Sequence, residues 1–169
     1  PGTYNMNDLL VISVPDLTIR SVSDNPTDVI LDFGGMITGH FGILIMADDV
    51  TLTGLTIQNA VDHGVSVQGV DRPTLYNLHI RDIGDQLVKV NPDGDGSDDG
   101  LLACCLIEYT TTAPDSYTNG ISGHLAHNWV VRDNQWVNIR GPGNGYTGPT
   151  VLFWSESNDT LVERNTFVN

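Results

Sequence analysis

The sequence predicts an all-β fold of stacked parallel coils, a β-solenoid with about five to six coils. One unit recurs along the chain: a short strand, a turn, and a second strand that ends on a polar residue. Apolar residues keep fixed offsets within each unit while the turns vary in length, which is typical of stacked coils. The 18 glycines and 8 prolines indicate many turns, and no stretch has the period of a long amphipathic helix.

The composition is that of one folded domain over residues 1–169, long enough for a continuous core. The formal net charge is −14, from 21 acidic and 7 basic residues. Such a charge repels phosphate backbones and anionic membranes, so we expect neither nucleic acid nor membrane insertion. Cys104 and Cys105 are adjacent and face opposite sides of a strand, so we expect no disulfide between them. Cys105 falls at a core position of the repeat.

The chain begins with a leading segment or cap, residues 1–39, and the repeated coils occupy residues 40–169. Strand-like stretches in the leading segment lie at residues 9–12, 17–19 and 29–33. In the coils, the second strands align on Leu52, Leu75, Leu102, Val131 and Val162. Three positions later come Leu55, Leu78, Cys105, Asn134 and Asn165, and five positions later come Ile57, Ile80, Ile107, Trp136 and Phe167. These aligned apolar residues predict the inner face of the coils.

Asparagines at equivalent positions of successive coils predict hydrogen-bonded ladders. We expect Asn134 to stack on Asn165, and Asn138 on Asn169. A stacked amide can donate and accept along a column, and asparagine tolerates the left-handed backbone that a sharp corner needs. This structural role is favoured over a catalytic one.

The repeat resembles the right-handed parallel β-helix of the pectin-lyase-like superfamily, in its bacterial repeat proteins. The resemblance covers nearly the whole chain and is most specific over residues 120–169. It is carried by the coil repeats, the asparagine positions and the stretches 85–89 (DQLVK), 128–134 (NWVVRDN) and 161–165 (LVERN). It implies a right-handed parallel β-helix and, more loosely, a secreted or cell-surface polysaccharide lyase, hydrolase, tail spike or adhesin.

The resemblance also implies that a substrate lies outside one sheet, along the first strand of each coil. We align these strands at residues 42–46, 64–68, 86–90, 120–124 and 150–154, and alternation then points Gln68, His124 and Trp154 outward. Trp154 beside the two polar side chains suits a sugar platform, to which the loop residue Tyr146 would add. The alternatives are an ordinary surface stripe, or a Trp154 ring covered by Tyr146.

Three residues are candidates for catalysis: Lys89, Arg140 and His124. In this alignment Lys89 breaks the alternation, because strict parity would bury its ammonium group. A bulge could turn it outward, or Asp85 could pair with it. A lysine of lowered pKa can serve a lyase as its base, and Arg140 could grip a uronate carboxylate. The alternative for Lys89 is a structural ion pair or a bulge-exposed lysine.

The acidic turn at residues 91–100 (NPDGDGSDDG) predicts a Ca²⁺ site. Carboxylates interleaved with glycine can wrap oxygen ligands around a hard cation. The candidate ligands are Asp93, Asp95, Asp98 and Asp99. The alternative is an acidic surface turn. His124 and His127, with Asp133 or Glu156, are candidates for a second metal site, although hydrogen-bonded turn histidines are more usual. His40 and His63 each lie just before the first strand of a coil, where we expect a stacked corner position.

Two functions remain open on the sequence alone. The first is a secreted protein that binds or cleaves a polysaccharide, as a calcium-assisted lyase with Lys89 as base, or as a hydrolase that uses two carboxylates among Asp98, Asp99, Asp115 and Glu156. The second is a non-catalytic structural or adhesive solenoid that self-associates end to end. The chain ends on a strand, which predicts a segment of a longer solenoid, end-to-end stacking, or a partner chain.

Overall fold

The computed structural model describes residues 1–36, 41–94 and 96–169 and confirms an all-β parallel solenoid. The described ranges contain nineteen strands and two single-turn 3-10 helices, at Pro26–Asp28 and Pro142–Asn144. The strands are, in chain order, β1 (Gly2–Asn5), β2 (Leu10–Ile12), β3 (Thr18–Arg20), β4 (Val29–Asp32), β5 (Phe41–Ile45), β6 (Thr51–Thr53), β7 (Thr56–Gln58), β8 (His63–Gln68), β9 (Thr74–Tyr76), β10 (His79–Arg81), β11 (Val88–Asn91), β12 (Leu101–Ala103), β13 (Leu106–Glu108), β14 (Ile121–His124), β15 (Val130–Arg132), β16 (Gln135–Val137), β17 (Val151–Trp154), β18 (Leu161–Glu163) and β19 (Thr166–Val168).

The strands form three parallel sheets, and each coil contributes one strand to each sheet. Sheet 1 consists of β2, β5, β8, β11, β14 and β17; sheet 2 of β3, β6, β9, β12, β15 and β18; and sheet 3 of β1, β4, β7, β10, β13, β16 and β19. This arrangement gives six coils, with β1 as an additional strand on sheet 3. Across the described part of the chain, no helix has the length and apolar character needed to cross a membrane.

The aligned apolar positions form the core in every coil but the last, where the predicted inner residues Val162 and Phe167 are about half exposed. Leu52, Leu75, Leu102 and Val131 lie in one register of sheet 2, and all four are fully buried. In sheet 3, residues Ile57, Ile80, Ile107, Trp136 and Phe167 lie in one register. Burying a side chain of this size contributes about 1.5–3 kcal/mol, so the columns are the main source of stability.

The leading segment is part of the solenoid. Strands β2, β3 and β4 pair in parallel with β5, β6 and β7, so they form a complete first coil. The regular coils therefore begin earlier than residue 40.

Residues 37–40 lie outside the described ranges. They include His40, for which the sequence predicted a position at a corner.

The corner between sheets 2 and 3 is a stack of left-handed residues. Gly54, Asn77, Cys104, Asp133 and Arg164 all have φ between 50° and 64°. The backbone N–H groups of the first four donate to the coil that follows; for example, the Asn77 N–H donates to the Ala103 carbonyl at 3.0 Å. Glycine takes this conformation without strain and Asn77 and Asp133 tolerate it, so stacking has most strain to compensate at Cys104 and Arg164.

One of the two asparagine ladders is confirmed. The Asn134 Nδ2 donates to the Asn165 Oδ1 at 3.0 Å, and the Asn134 Oδ1 accepts from the Cys105 N–H at 2.9 Å. The Asn138 side chain instead donates to the Tyr109 carbonyl at 3.0 Å, so the predicted hydrogen bond from Asn138 to Asn169 is replaced by one to the backbone of the preceding coil.

Candidate functional site

The outer face of sheet 1 carries two columns of outward side chains. The first outer column contains Leu44, Ser66, Lys89, Ser122 and Leu152. The second outer column, two residues further along each strand, contains Gln68, Asn91, His124 and Trp154. Successive coils bring these residues close together although neighbours in a column lie 22 to 33 residues apart in the sequence (66−44 and 124−91).

The predicted alignment of β11 was wrong by one residue. Lys89 pairs with Ser66 and Ser122, whereas the sequence alignment placed it beside Val67. A slip of one residue exchanges the two faces of a strand. Val88 and Val90, predicted to face outward, are therefore fully buried in the core, and Lys89 obeys the alternation and faces outward. Lys89 needs no bulge to leave the core.

The Lys89 side chain lies on the outer face of sheet 1, where its amine contacts the side chains of Ser122 and His124. Its Nζ is 3.1 Å from the Ser122 Oγ and 2.9 Å from the His124 Nε2. Lys89 is only 7% exposed, and Ser122 only 2%. Burial lowers the pKa of Lys89 below its ordinary value of 10.5, and the charges of Asp85 and Asp62 act against this shift. A buried amine with neutral hydrogen-bond partners is the arrangement that favours the uncharged form.

The predicted ion pair between Lys89 and Asp85 is not formed. Among the described residues, no carboxylate lies within ion-pair distance of the Lys89 Nζ, and Asp85 acts on Lys89 only through its longer-range charge. The lysine is thus neither a structural ion pair nor freely solvated. Neither alternative that the sequence left open, a structural ion pair or a bulge-exposed lysine, describes Lys89. It is a buried lysine whose amine contacts the Ser122 hydroxyl and the His124 imidazole.

His124 connects Lys89 to the exposed aromatic ring of Trp154. Burial and the charge of Lys89 lower the pKa of His124 below its ordinary value of 6.5, which favours a neutral imidazole. A charged Lys89 donates to Nε2, so the imidazole proton then lies on Nδ1. The His124 and Trp154 rings meet edge to face with centroids 4.4 Å apart. The two outer columns thus form one contiguous cluster.

Trp154 is the exposed apolar surface of this cluster. Its side chain is 45% exposed, and Gln68 lies half-buried in the same outer column. Tyr146 is 97% exposed, so it does not cover the Trp154 ring. The alternative of a covered aromatic is therefore wrong, and a flat ring face is available to a ligand.

Arg140 and Tyr146 belong to a different part of the surface. Both line a cavity of about 470 Å³ at the corner that leads from β16 to β17, together with Thr150 and Asn169. Neither Lys89 nor His124 lines this cavity. In the described ranges, no group accepts a hydrogen bond from the Arg140 guanidinium. Arg140, the predicted clamp for a carboxylate, therefore lies on a different part of the surface from Lys89, the predicted base.

The predicted calcium ligands do not converge in the described ranges. Asp95 lies outside those ranges. The Asp98 carboxylate accepts from the His127 backbone N–H at 2.9 Å and lies 2.8 Å from the His127 Nδ1. The His127 Nε2 donates to the Glu156 carbonyl at 3.1 Å. Both nitrogens of His127 are therefore engaged, which removes it from a shared metal site with His124.

The sequence did not single out a third cluster, at the corner that leads into β8 and β11. The His63 Nδ1 lies 3.2 Å from the Asp62 Oδ1 and 4.0 Å from the Asp85 Oδ2. The His63 ring stacks on Phe41 with centroids 5.0 Å apart, so it has the stacked corner position that the sequence predicted. Burial, followed by the charges of Asp62 and Asp115, raises the pKa of Asp85 to about 6.

One sequence signal could have revealed this corner cluster. Asp62 and Asp85 are 23 residues apart (85−62), the same step that separates Leu52 from Leu75 (75−52). Residues one coil apart stack directly, so two carboxylates at this spacing meet.

The comparisons with known proteins give no identity for the chain: no family model, no curated protein and no solved structure matches it.

Proposed function

We propose that this chain is a secreted or cell-surface, carbohydrate-active protein of the pectin-lyase-like type that binds a polysaccharide across the outer face of sheet 1. We further propose that it cleaves a uronic-acid polysaccharide by β-elimination, with Lys89 as the base. One observation carries the proposal: the Lys89 amine lies 2.9 Å from the His124 imidazole, and that imidazole meets the exposed ring of Trp154 edge to face.

Binding is supported by the second outer column. Trp154 offers a flat apolar face to a sugar ring, and aromatic side chains with a few convergent polar groups are typical of ligand sites. Gln68 and Asn91 supply amides that can donate to and accept from hydroxyl groups. Three steps between parallel strands separate Gln68 from Trp154, about 14 Å, which gives an extended chain of sugars several contacts.

Cleavage is supported by the environment of Lys89. A neutral Lys89 amine takes the proton from the carbon next to the uronate carboxylate. The released electron pair forms a carbon–carbon double bond, the bond to the leaving sugar oxygen breaks, and that oxygen takes a proton from water. The burial that lowers the pKa of Lys89 increases the fraction of uncharged amine near neutral pH.

The β-elimination also requires the charge of the uronate to be screened. The sequence predicts two groups for this purpose. One is a calcium ion held by the acidic turn at residues 91–100, and the other is Arg140, which would bind the uronate carboxylate. Neither contacts Lys89 in the described ranges, so their participation stays a prediction. For a hydrolase, Asp98 is a poor candidate because His127 already engages it.

A second candidate function is a non-catalytic binding or adhesive solenoid. The low exposure of Lys89 and Ser122 favours it, because a substrate atom reaches the Lys89 amine only if neighbouring side chains move. End-to-end self-association of such a solenoid is also a proposal.

A panel of neutral and uronic polysaccharides tests these alternatives. We expect binding to a uronic polysaccharide, and products with unsaturated ends that absorb in the ultraviolet, measured with calcium and with a chelator. Trp154→Ala should weaken binding by about tenfold, since it removes the stacking surface. Tyr76→Ala, at an exposed aromatic residue on sheet 2, is the matched control. New reducing ends without unsaturation would indicate a hydrolase, and binding without any cleavage would indicate the non-catalytic solenoid.

A further inference from the structure

The corner cluster of Asp62, His63 and Asp85 is a mixed set of nitrogen and oxygen donors. One ligand atom from each residue can be chosen so that all three lie within 4.8 Å of one another. In the described ranges, this is the only group of three such side chains that meets this distance. The cluster is separate from Lys89, Ser122, His124 and Trp154, which form the proposed carbohydrate site.

We propose that Asp62, His63 and Asp85 bind one divalent first-row transition-metal ion, for which Zn²⁺ is the probe. Carboxylates alone suit Mg²⁺ and Ca²⁺, whereas an imidazole in the set suits zinc and its neighbours. Three protein ligands leave a coordination position open for water, as in catalytic rather than structural zinc sites. This inference does not depend on the proposed carbohydrate function.

The distances fit a small cation after a contraction of the cluster, whose ligand atoms lie within 4.8 Å of one another. Ligands about 2.0–2.1 Å from a tetrahedral zinc ion lie about 3.3 Å from one another. The 3.2 Å between His63 and Asp62 already matches this value, and the 4.0 Å between His63 and Asp85 must shorten by about 0.7 Å. Rotation of the Asp85 carboxyl group, which is on a corner rather than inside a strand, can supply this change.

The surroundings of the cluster hold its ligands in place. His63 is only 8% exposed and its ring is stacked on Phe41, which restricts the orientation of the imidazole. The Gln86 Nε2 donates to the Asp85 Oδ1 at 2.6 Å, and the Tyr109 hydroxyl donates to the Asp85 backbone carbonyl at 3.0 Å. Hydrogen bonds that orient the ligands from outside are typical of metal sites.

The charge at this corner gives an independent reason for a cation. The carboxylates of Asp48 and Asp71, which also lie one coil apart, share Arg72 at 3.7 and 3.8 Å. Among the described residues, no lysine or arginine forms an ion pair with Asp62 or Asp85. The charge of Asp115 also acts on Asp85, so the corner concentrates negative charge that a divalent cation would neutralise.

Calorimetric titration of the full chain with Zn²⁺ tests the inference. We expect one ion per chain, and Asp62→Asn and Asp85→Asn should each weaken binding by at least about tenfold. Both variants should fold, because each removes repulsion between neighbouring carboxylates, and their circular dichroism should match that of the wild type. Asp115→Asn is the matched control, an acid near the cluster but outside it, and should retain the single site.

Cobalt substitution then distinguishes this site from the exposed thiol of Cys104. The Co²⁺ spectrum should lack a thiolate charge-transfer band and should be unchanged in Cys104→Ser. Three results would overturn the inference: no saturable Zn²⁺ binding, binding that survives both Asp62→Asn and Asp85→Asn, or Ca²⁺ binding at this corner with an affinity equal to that of Zn²⁺.

Discussion

Asn134 joins three coils, so its replacement by alanine offers a quantitative test of the ladder. The side chain is 1% exposed. Its Oδ1 accepts from the Cys105 N–H at 2.9 Å, and its Nδ2 donates to the Leu102 carbonyl at 2.9 Å and to Asn165 at 3.0 Å. Asn134→Ala leaves two buried backbone groups without these partners, at about 1–3 kcal/mol each. The Leu102 carbonyl keeps a second lone pair for another donor, so its loss is at the low end of this range. We therefore expect a total loss of about 3 kcal/mol of unfolding free energy.

The assay is urea-induced unfolding followed by circular dichroism and by tryptophan fluorescence, since coincident transitions are needed for a two-state free energy. The control is Asn138→Gly, which removes the single hydrogen bond from Asn138 to Tyr109 at a left-handed position where glycine adds no strain. We expect a loss of about 1 kcal/mol for the control. A loss below about 1 kcal/mol for Asn134→Ala would refute the ladder as a main stabilising feature.

Asn134→Asp adds a test with a defined pH dependence. The aspartate keeps the acceptor for the Cys105 N–H but turns an oxygen toward the Leu102 carbonyl, so its pKa should be raised in the folded state. A raised carboxyl pKa contributes stability below the unfolded value of about 3.9, and this stability is lost as pH rises through the folded pKa. The variant should therefore lose stability relative to the wild type between pH 4 and 7, and a pH-independent difference would contradict the geometry.

Three further outcomes follow from individual residues. Burial raises the pKa of Cys105 to about 12 while Cys104 is exposed, so an alkylating reagent should add once to the native chain and twice to the unfolded chain, counted by mass spectrometry. Gly120→Ala should lower the unfolding free energy by about 1–3 kcal/mol, because the new Cβ would lie 2.4 Å from the Trp136 ring; an unchanged urea midpoint would contradict this packing. Two arginines lower the pKa of Asp133 to about 2, so its contribution is present above the unfolded pKa and lost as pH falls through the folded one. The stability difference between Asp133→Asn and the wild type should therefore shrink between pH 4 and 2, and an NMR-measured pKa near 4 would argue against these ion pairs.

The sequence predicts sheets 2 and 3 better than sheet 1, for a physical reason. Leu52 is a single apolar residue between Thr51 and Thr53, and Leu75 lies between Thr74 and Tyr76, so the register of these strands is unambiguous. In sheet 1, Leu87 and Val88 are adjacent and both apolar, and either could serve as the inner residue. The structure buries both, Leu87 at a corner where other coils have glycine and Val88 inside the strand. That choice reverses the face on which Lys89 lies.

The candidate site could be predicted in its residues but not in its contacts. His124 and Trp154 were identified from residue type and parity, whereas Lys89 was identified because a register wrong by one residue made it break the parity; the structure brings the three together. The role of Ser122 depends on which strand neighbours β11 and in what register, which parity alone does not specify. Arg140 was placed by its loop, and long loops do not follow the repeat, so its distance from Lys89 was beyond sequence reasoning.

The most direct test of Lys89 as a base is its own pKa. Lys89 is the only lysine in the sequence, so incorporation of lysine labelled with ¹³C at Cε and ¹⁵N at Nζ gives one side-chain signal to follow by NMR from neutral to alkaline pH in metal-free buffer. We expect a pKa below 10.5, because burial disfavours the charged amine more than Asp85 and Asp62 favour it. A pKa at or above 10.5 would show that the carboxylates dominate, that Lys89 is a structural cation, and that the outer face of sheet 1 lacks its base.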